Sequence, residues 1–228
     1  MSQPTIVFDL DGTLIDTAPD LVATLNVILT REGLPEVPYD TARTYIGGGA
    51  RLMLERGLLA DRRDPAPPLL NRLFDEFLVY YADHIADRSQ PFPGLERALD
   101  GLAARDCRLA VCTNKLEGLS VKLLDALGLT SRFATICGQD TFGIQKPDPL
   151  VLHKTIAAAG GTTANAVMIG DSATDIRAAQ AAGIPVIAVD FGYTDRHVSA
   201  FSPNRVIGHF DQLIGAIEAI GALPSRTA

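Results

Sequence analysis

No apolar stretch in this chain approaches the roughly 20 residues that a membrane-spanning helix needs, which argues against a membrane protein. The first four residues lack a basic segment followed by an apolar one, so no secretory signal is expected. Cysteine is scarce. Cys107, Cys112 and Cys137 are odd in number and have no close-paired spacing, and two of them sit in strand-like apolar runs. They are read as buried, reduced thiols of a cytoplasmic protein, not as disulfides, metal ligands or nucleophiles. Positive charge is also short: 20 Lys and Arg stand against 27 Asp and Glu, a net charge of −7. That balance argues against nucleic acid or an anionic membrane as partner. Internal repeats and low-complexity tracts are missing, and the 20 glycines and 14 prolines are scattered.

What is present is enough apolar residue, 47% of 228 positions, to bury a substantial core. Short apolar runs at 5–8, 108–112, 134–137, 166–169 and 184–189 read as buried strands. Between them lie helical patterns. Leu95, Ala98, Leu99 and Leu102 share a face, as do Leu116, Leu119, Leu123, Leu124 and Leu127 ahead of Gly128. This alternation predicts an α/β fold, a doubly wound, mainly parallel sheet with helices on both faces. The stretch from Thr17 to Arg88 breaks the rhythm with helical stripes only: Leu21, Leu25, Ile28 and Leu29, then Leu69, Leu70, Leu73, Phe74, Phe77 and Leu78. The expected organisation is a core of residues 1–16 and 89–228, with an α-helical cap of residues 17–88 inserted after the first strand. The alternative is one domain carrying three extra helices. The residues from Leu223 to Ala228 read as a frayed tail.

Chemistry-bearing residues cluster at strand ends. Asp9-Leu10-Asp11-Gly12-Thr13 follows the first strand, and a chance match to Asp-x-Asp-Gly-Thr is roughly a one-in-several-hundred event. Asp171 to Asp175 follows another strand, Thr113-Asn114 a third, and Lys146 lies in Gln145-Lys146-Pro147-Asp148. Each has an ordinary alternative: helix capping for Asp171 and Asp175, a cap or turn for Thr113-Asn114, a solvated lysine for Lys146. Together they gain weight, because strand ends in a parallel sheet share one edge. Convergent acids, a hydroxyl, an amide and a lysine make a magnesium site that can receive a phosphate. Since the chain is acidic overall, its positive charge at a phosphate must come from a metal and a few placed cations.

These four segments resemble the ordered motifs of the haloacid dehalogenase superfamily, in its phosphatase branch with a helical cap after the first motif. Ile46-Gly47-Gly48-Gly49-Ala50-Arg51, Pro91 to Gly94 and Phe191-Gly192-Tyr193 are similar to the phosphoglycolate phosphatase group. The resemblance implies a phosphoric monoester hydrolase acting on a small phosphorylated metabolite, with 2-phosphoglycolate favoured. It implies Asp9 as nucleophile, ionised at its ordinary pKa of about 3.9, and Asp11 as the acid, then base, of a phosphoaspartate cycle. Thr113, Gly12 and the Asn114 backbone would receive the phosphate, and Lys146 would offset its charge. Mg²⁺ would sit on Asp9, the Asp11 carbonyl and Asp171, while Asp175 would ligate through water or fix Lys146. For a substrate carboxylate, Arg51 is nominated, with Arg43 second, and Gly47 and Gly48 are expected near the substrate. Solvated helix faces are the alternative for both arginines. Lys115 is read as facing solvent, with a part in phosphate binding as the alternative. A phosphosugar mutase, a pyrophosphatase or broad sugar-phosphate phosphatase, and an inactive regulatory protein of the same fold remain alternatives, and the protein is expected as monomer or homodimer.

Overall fold

The computed structural model describes residues 3–194 and 196–223. Leu223 is buried, while the remainder of the expected tail, from 224 on, lies outside the described residues.

The apolar run at the start becomes β1 (Thr5–Phe8), buried throughout. Alternation along the strand sends Ile6 and Phe8 to one face and Val7 to the other, each into a separate apolar cluster. A two-residue strand β2 (Ile15–Asp16) follows, then four helices: α1 (Ala18–Arg31), α2 (Tyr39–Arg43), α3 (Ala50–Ala60) and α4 (Pro67–Asp83). The expected α1 stripe is buried whole, and α4 buries Leu70, Leu73, Phe77 and Tyr81, one heptad-like ridge. Helices α1, α3 and α4 pack on one another, and their apolar faces continue the cluster that begins with Ile6 and Phe8.

The chain returns through β3 (Gln90–Pro91), antiparallel to β2, so the two ends of the helical segment lie side by side. Strands and helices then alternate: α5 (Leu95–Ala103), β4 (Arg108–Cys112), α6 (Glu117–Ala126), β5 (Thr135–Cys137), α7 (Pro149–Ala158), β6 (Ala166–Gly170), α8 (Ala173–Ala182), β7 (Val186–Val189), β8 (Arg205–Ile207) and α9 (Leu213–Ala219). Six strands form a parallel sheet in the order β5-β4-β1-β6-β7-β8. Strand β8 has no counterpart in the sequence reading: it is three residues long, with Arg205 and Val206 exposed, so it carries no apolar run. The order places β1 between β4 and β6, with Phe8 level with Val111 and Ile169. The next residues of all three strands therefore emerge at one edge, where open parallel sheets bind ligands.

Asp20, in the first turn of α1, ties the two ends of the helical segment together. Its buried carboxylate accepts hydrogen bonds from the Arg88 N–H (3.0 Å), the Ser89 N–H (2.8 Å) and the Ser89 hydroxyl (2.7 Å). Charged acceptors of this kind are worth about 1.5–3 kcal/mol per hydrogen bond, and truncation leaves the donors unpaired. Asp20→Ala is expected to lower the free energy of unfolding by about 2–3 kcal/mol, measured by urea denaturation.

Candidate active site

Asp9 directly follows β1, and its N–H donates to Ile169 O across to β6 (2.9 Å), which continues the ladder by one residue. Its carboxylate is therefore fixed at the sheet edge and is buried. Gly12 allows the chain to turn back at φ +83°; a Cβ there would come within 2.5 Å of Asp171 Oδ2. Glycine at this position thus makes room for the carboxylate from β6, a structural reason for a residue expected to receive substrate.

Asp171 is held from two sides. The Tyr193 N–H donates to Oδ2 (2.8 Å) and the Thr13 hydroxyl reaches Oδ1 (3.3 Å). Asp175 closes a capping box at the start of α8: the Ser172 hydroxyl and N–H donate to its Oδ2 at 2.6 and 3.1 Å. Its Oδ1 accepts from Lys146 Nζ at 2.6 Å, and the same ammonium lies 2.8 Å from Asp9 Oδ1. One Asp175 oxygen thus serves the capping box and the other fixes Lys146. The Lys146 peptide is itself clamped by the Asn114 side chain, which accepts from Lys146 N–H (2.9 Å) and donates to Lys146 O (3.1 Å). Thr113 emerges from β4 beside these groups and lines the same pocket.

Three carboxylates, Asp9, Asp171 and Asp175, bring ligand oxygens within 4.8 Å of one another, all buried. One ammonium, Lys146, is paired among them. Burial, and then the charge of Asp175, push the Asp9 carboxyl up to about 7, against the pull of Lys146. Burial, Asp175 and Asp9 also raise Asp171 well above the usual carboxylate range. The Asp9 carboxyl thus lies above the ordinary pKa used in the sequence reading, even with Lys146 beside it. Burial disfavours the charged Lys146, but Asp175 and Asp9 outweigh it and hold the ammonium charged. A buried donor set of hard oxygens with more negative than positive charge suits a divalent cation.

The inserted helices cover this edge. Gly49 caps α3 beside Asn114 O, and Gly47 lies over Ser172. A pocket opens between them and is lined by Asp9, Asp11, Thr113, Asn114, Lys115 and Gln139 from the core side. Its other wall is apolar, with Ile46, Met53, Phe74, Phe77 and Leu78 from α3, α4 and the loop before α3. Gly47 lines this pocket; Gly48 instead packs against Leu52. Arg51 is exposed, bonded to Asn71 Oδ1 and stacked over Phe74, and is not among the lining residues. Arg43 donates to the carbonyls of Phe191 (3.0 Å) and Gly192 (2.9 Å) and lies over the Tyr193 ring, so it braces the loop that holds Asp171.

Lys115 departs from the sequence reading. It is buried, with Nζ at 3.0 and 3.1 Å from the two Asp11 oxygens and 2.9 Å from Tyr81 Oη. Burial disfavours its charge, but Asp11 and Tyr81 more than compensate and hold the ammonium protonated. Tyr81 was also missed, although it stands seven residues after Phe74 on the predicted α4 face. Tyr193 belongs to a motif noted in the sequence, yet nothing there showed that its N–H holds Asp171 and its hydroxyl donates to Asp16 (2.6 Å). The cysteines are free and buried, as expected from the sequence; burial pushes the Cys112 thiol up to about 12 and Cys107 to about 11. Among the described residues, no helix is long and apolar enough to cross a membrane.

Comparison with known proteins agrees with this geometry. The pattern of the family described as haloacid dehalogenase-like hydrolase matches residues 6–189. The chain is 52% identical over 213 residues to a phosphoglycolate phosphatase of Mesorhizobium japonicum, covering 93% of this chain and 94% of that protein. It is 46% identical to a phosphoglycolate phosphatase of Caulobacter vibrioides, covering 92% and 89%. A crystal structure from Haemophilus somnus, described as a predicted phosphoglycolate phosphatase, superposes with a TM-score of 0.87 at 27% identity over 93% of this chain and 97% of that one. With its motif residues gathered at one edge of a parallel sheet and relatives of this similarity along nearly its whole length, the chain belongs to the haloacid dehalogenase-like hydrolase family.

Proposed function

We propose that the protein hydrolyses a small phosphate monoester, 2-phosphoglycolate, in a Mg²⁺-dependent reaction through a phosphoaspartate on Asp9. The observation that carries this reading is the buried pairing of Asp9 with Lys146 beside Asp171 at the end of β1. The substrate comes from the relatives named phosphoglycolate phosphatase.

An Asp9 oxygen attacks phosphorus, forming the O–P bond as the ester P–O bond breaks. Asp11 gives its proton to the departing alkoxide. Asp11 then takes a proton from a water that attacks phosphorus, and the acyl–phosphate bond breaks to release phosphate and regenerate Asp9. Lys146 faces the charge that spreads over the phosphoryl oxygens, and the Thr113 hydroxyl with the Asn114 N–H supplies directed donors. Asp9, Asp171 and the Asp11 carbonyl would hold Mg²⁺, which offsets carboxylate and phosphoryl charge when bound. The residues 17–88 act as a cap whose apolar wall excludes bulk water from the site.

Asp9→Asn is expected to lower Mg²⁺-dependent phosphate release from 2-phosphoglycolate by about three orders of magnitude or more while the circular dichroism spectrum is kept. Near-normal turnover by that variant would defeat the mechanism. The Asp9 pKa gives a second outcome. A folded-state value of about 7 exceeds the ordinary 3.8, so protons bind the folded form more tightly than the unfolded one. The stabilisation this gives the metal-free protein is whole below pH 3.8 and is lost as the pH rises through about 7. Mg²⁺ competes with that proton, so saturating Mg²⁺ should raise Tm more at pH 8 than at pH 6 in paired thermal melts. An equal rise at both would show that the ion does not bind at Asp9.

A further inference from the structure

The apolar pocket wall leaves a question that the core motifs do not answer: what meets the end of the substrate remote from phosphorus. Arg51 reaches Asn71, Arg43 reaches the 191–192 carbonyls, and Arg56 donates to Thr44 O. None of the three lines the pocket. Among the described lining residues one carries a positive charge, Lys115, whose side chain is only 6% exposed. Its three N–H bonds are directed, two to Asp11 and one to the hydroxyl of Tyr81, and the Tyr81 ring lies 4.4 Å from the ammonium.

We propose that Lys115, steadied by Tyr81, is the binding site for a substrate carboxylate, and that it selects esters whose carboxylate is attached directly to the ester carbon. The inference rests on the phosphatase reading above and supplies its specificity. Distances support it. An acid must come within about 2.6–3.2 Å of the leaving oxygen it protonates. Lys115 Nζ is one further hydrogen bond beyond Asp11, at 3.0 Å. In an α-phosphoryloxy carboxylate, ester oxygen and carboxylate oxygen are three bonds apart, as are N and O of one backbone residue, so they lie about 3 Å from each other. A substrate bound with phosphorus at Asp9 and its ester oxygen at Asp11 thus brings its carboxylate to the ammonium.

Charge supports it as well. The Lys115 ammonium is buried beside the position the substrate takes, and a buried cation gains from an anionic partner that a neutral ester of the same size does not supply. The Tyr81 hydroxyl, whose pKa burial pushes up to about 12, remains protonated and continues to accept from Nζ. Because Tyr81 belongs to α4, the carboxylate site is complete only when the inserted helices lie over the core.

The test compares 2-phosphoglycolate with 2-hydroxyethyl phosphate, which differ only in carboxylate against hydroxymethyl, using the full-length Mg²⁺-loaded enzyme. Wild type should favour phosphoglycolate in kcat/KM. Lys115→Met should lower that preference at least tenfold, chiefly through KM for phosphoglycolate. Tyr81→Phe, which retains the ring and the fold, should shift the same ratio in the same direction by about threefold, and it carries the test where Lys115→Met does not fold. A preference that stays within twofold of wild type in both variants, with kcat lowered equally for both esters, would assign Lys115 to Asp11 alone and overturn the inference. Wild type that hydrolyses both esters with equal kcat/KM would overturn it too while leaving the phosphatase reading intact. Wild type that hydrolyses neither ester would overturn the parent reading and this one together.

Discussion

The site depends on one electrostatic constraint: Asp9, Asp171 and Asp175 are buried at a single sheet edge, and Lys146 is the ammonium paired between two of them. Like charges this close are tolerated only where cations or protons offset them. Much of the local architecture keeps this crowding in register. Asn114 clamps the Lys146 peptide, the Ser172 box fixes Asp175, and the Tyr193 N–H and Thr13 fix Asp171. Each brace is supplied by an element other than the one it fixes or by that element's own first turn, so no carboxylate can relax away from its neighbours without breaking hydrogen bonds.

The same economy joins the inserted helices to the core. Tyr193 touches Asp171 through its backbone and the start of the helical segment through its hydroxyl, accepting from Ala18 N–H (3.0 Å) and donating to Asp16. Arg43 of α2 bonds the carbonyls of Phe191 and Gly192 and lies over the Tyr193 ring. On the other flank, Tyr81 of α4 meets Lys115, which meets Asp11. The position of the helices and the arrangement of the sheet-edge side chains are therefore linked by two separate hydrogen-bonded chains.

Charge is distributed unevenly. The protein is acidic as a whole, yet both lysines near Asp9 and Asp11 are buried and paired, while the arginines of the helical segment lie outside the pocket. A buried ammonium holds its position more firmly than an exposed guanidinium and is screened less by salt. Positive charge at this sheet edge is thus a matter of a few fixed, buried ammonium groups, not of a diffuse basic surface.

The strand-ending motifs were legible because a buried parallel strand is a short apolar run and its exit is where a carboxylate is conspicuous: Asp9, Thr113 and Asp171 could be placed on one edge from spacing alone. The helical segment was legible for a similar reason, since period-3.6 stripes at 21–29 and 69–78 cannot be strands. Side-chain direction was not legible. Lys115 and Arg51 both follow polar or glycine-rich motifs, but only the packing of α4 against the core turns one inward and leaves the other at the surface. Local sequence fixes backbone period and strand ends through short-range sterics and burial. Which of two cations faces a pocket, what pKa a crowded carboxylate acquires, and which tyrosine closes a network depend largely on neighbours distant in the chain, and these meet only in the folded protein.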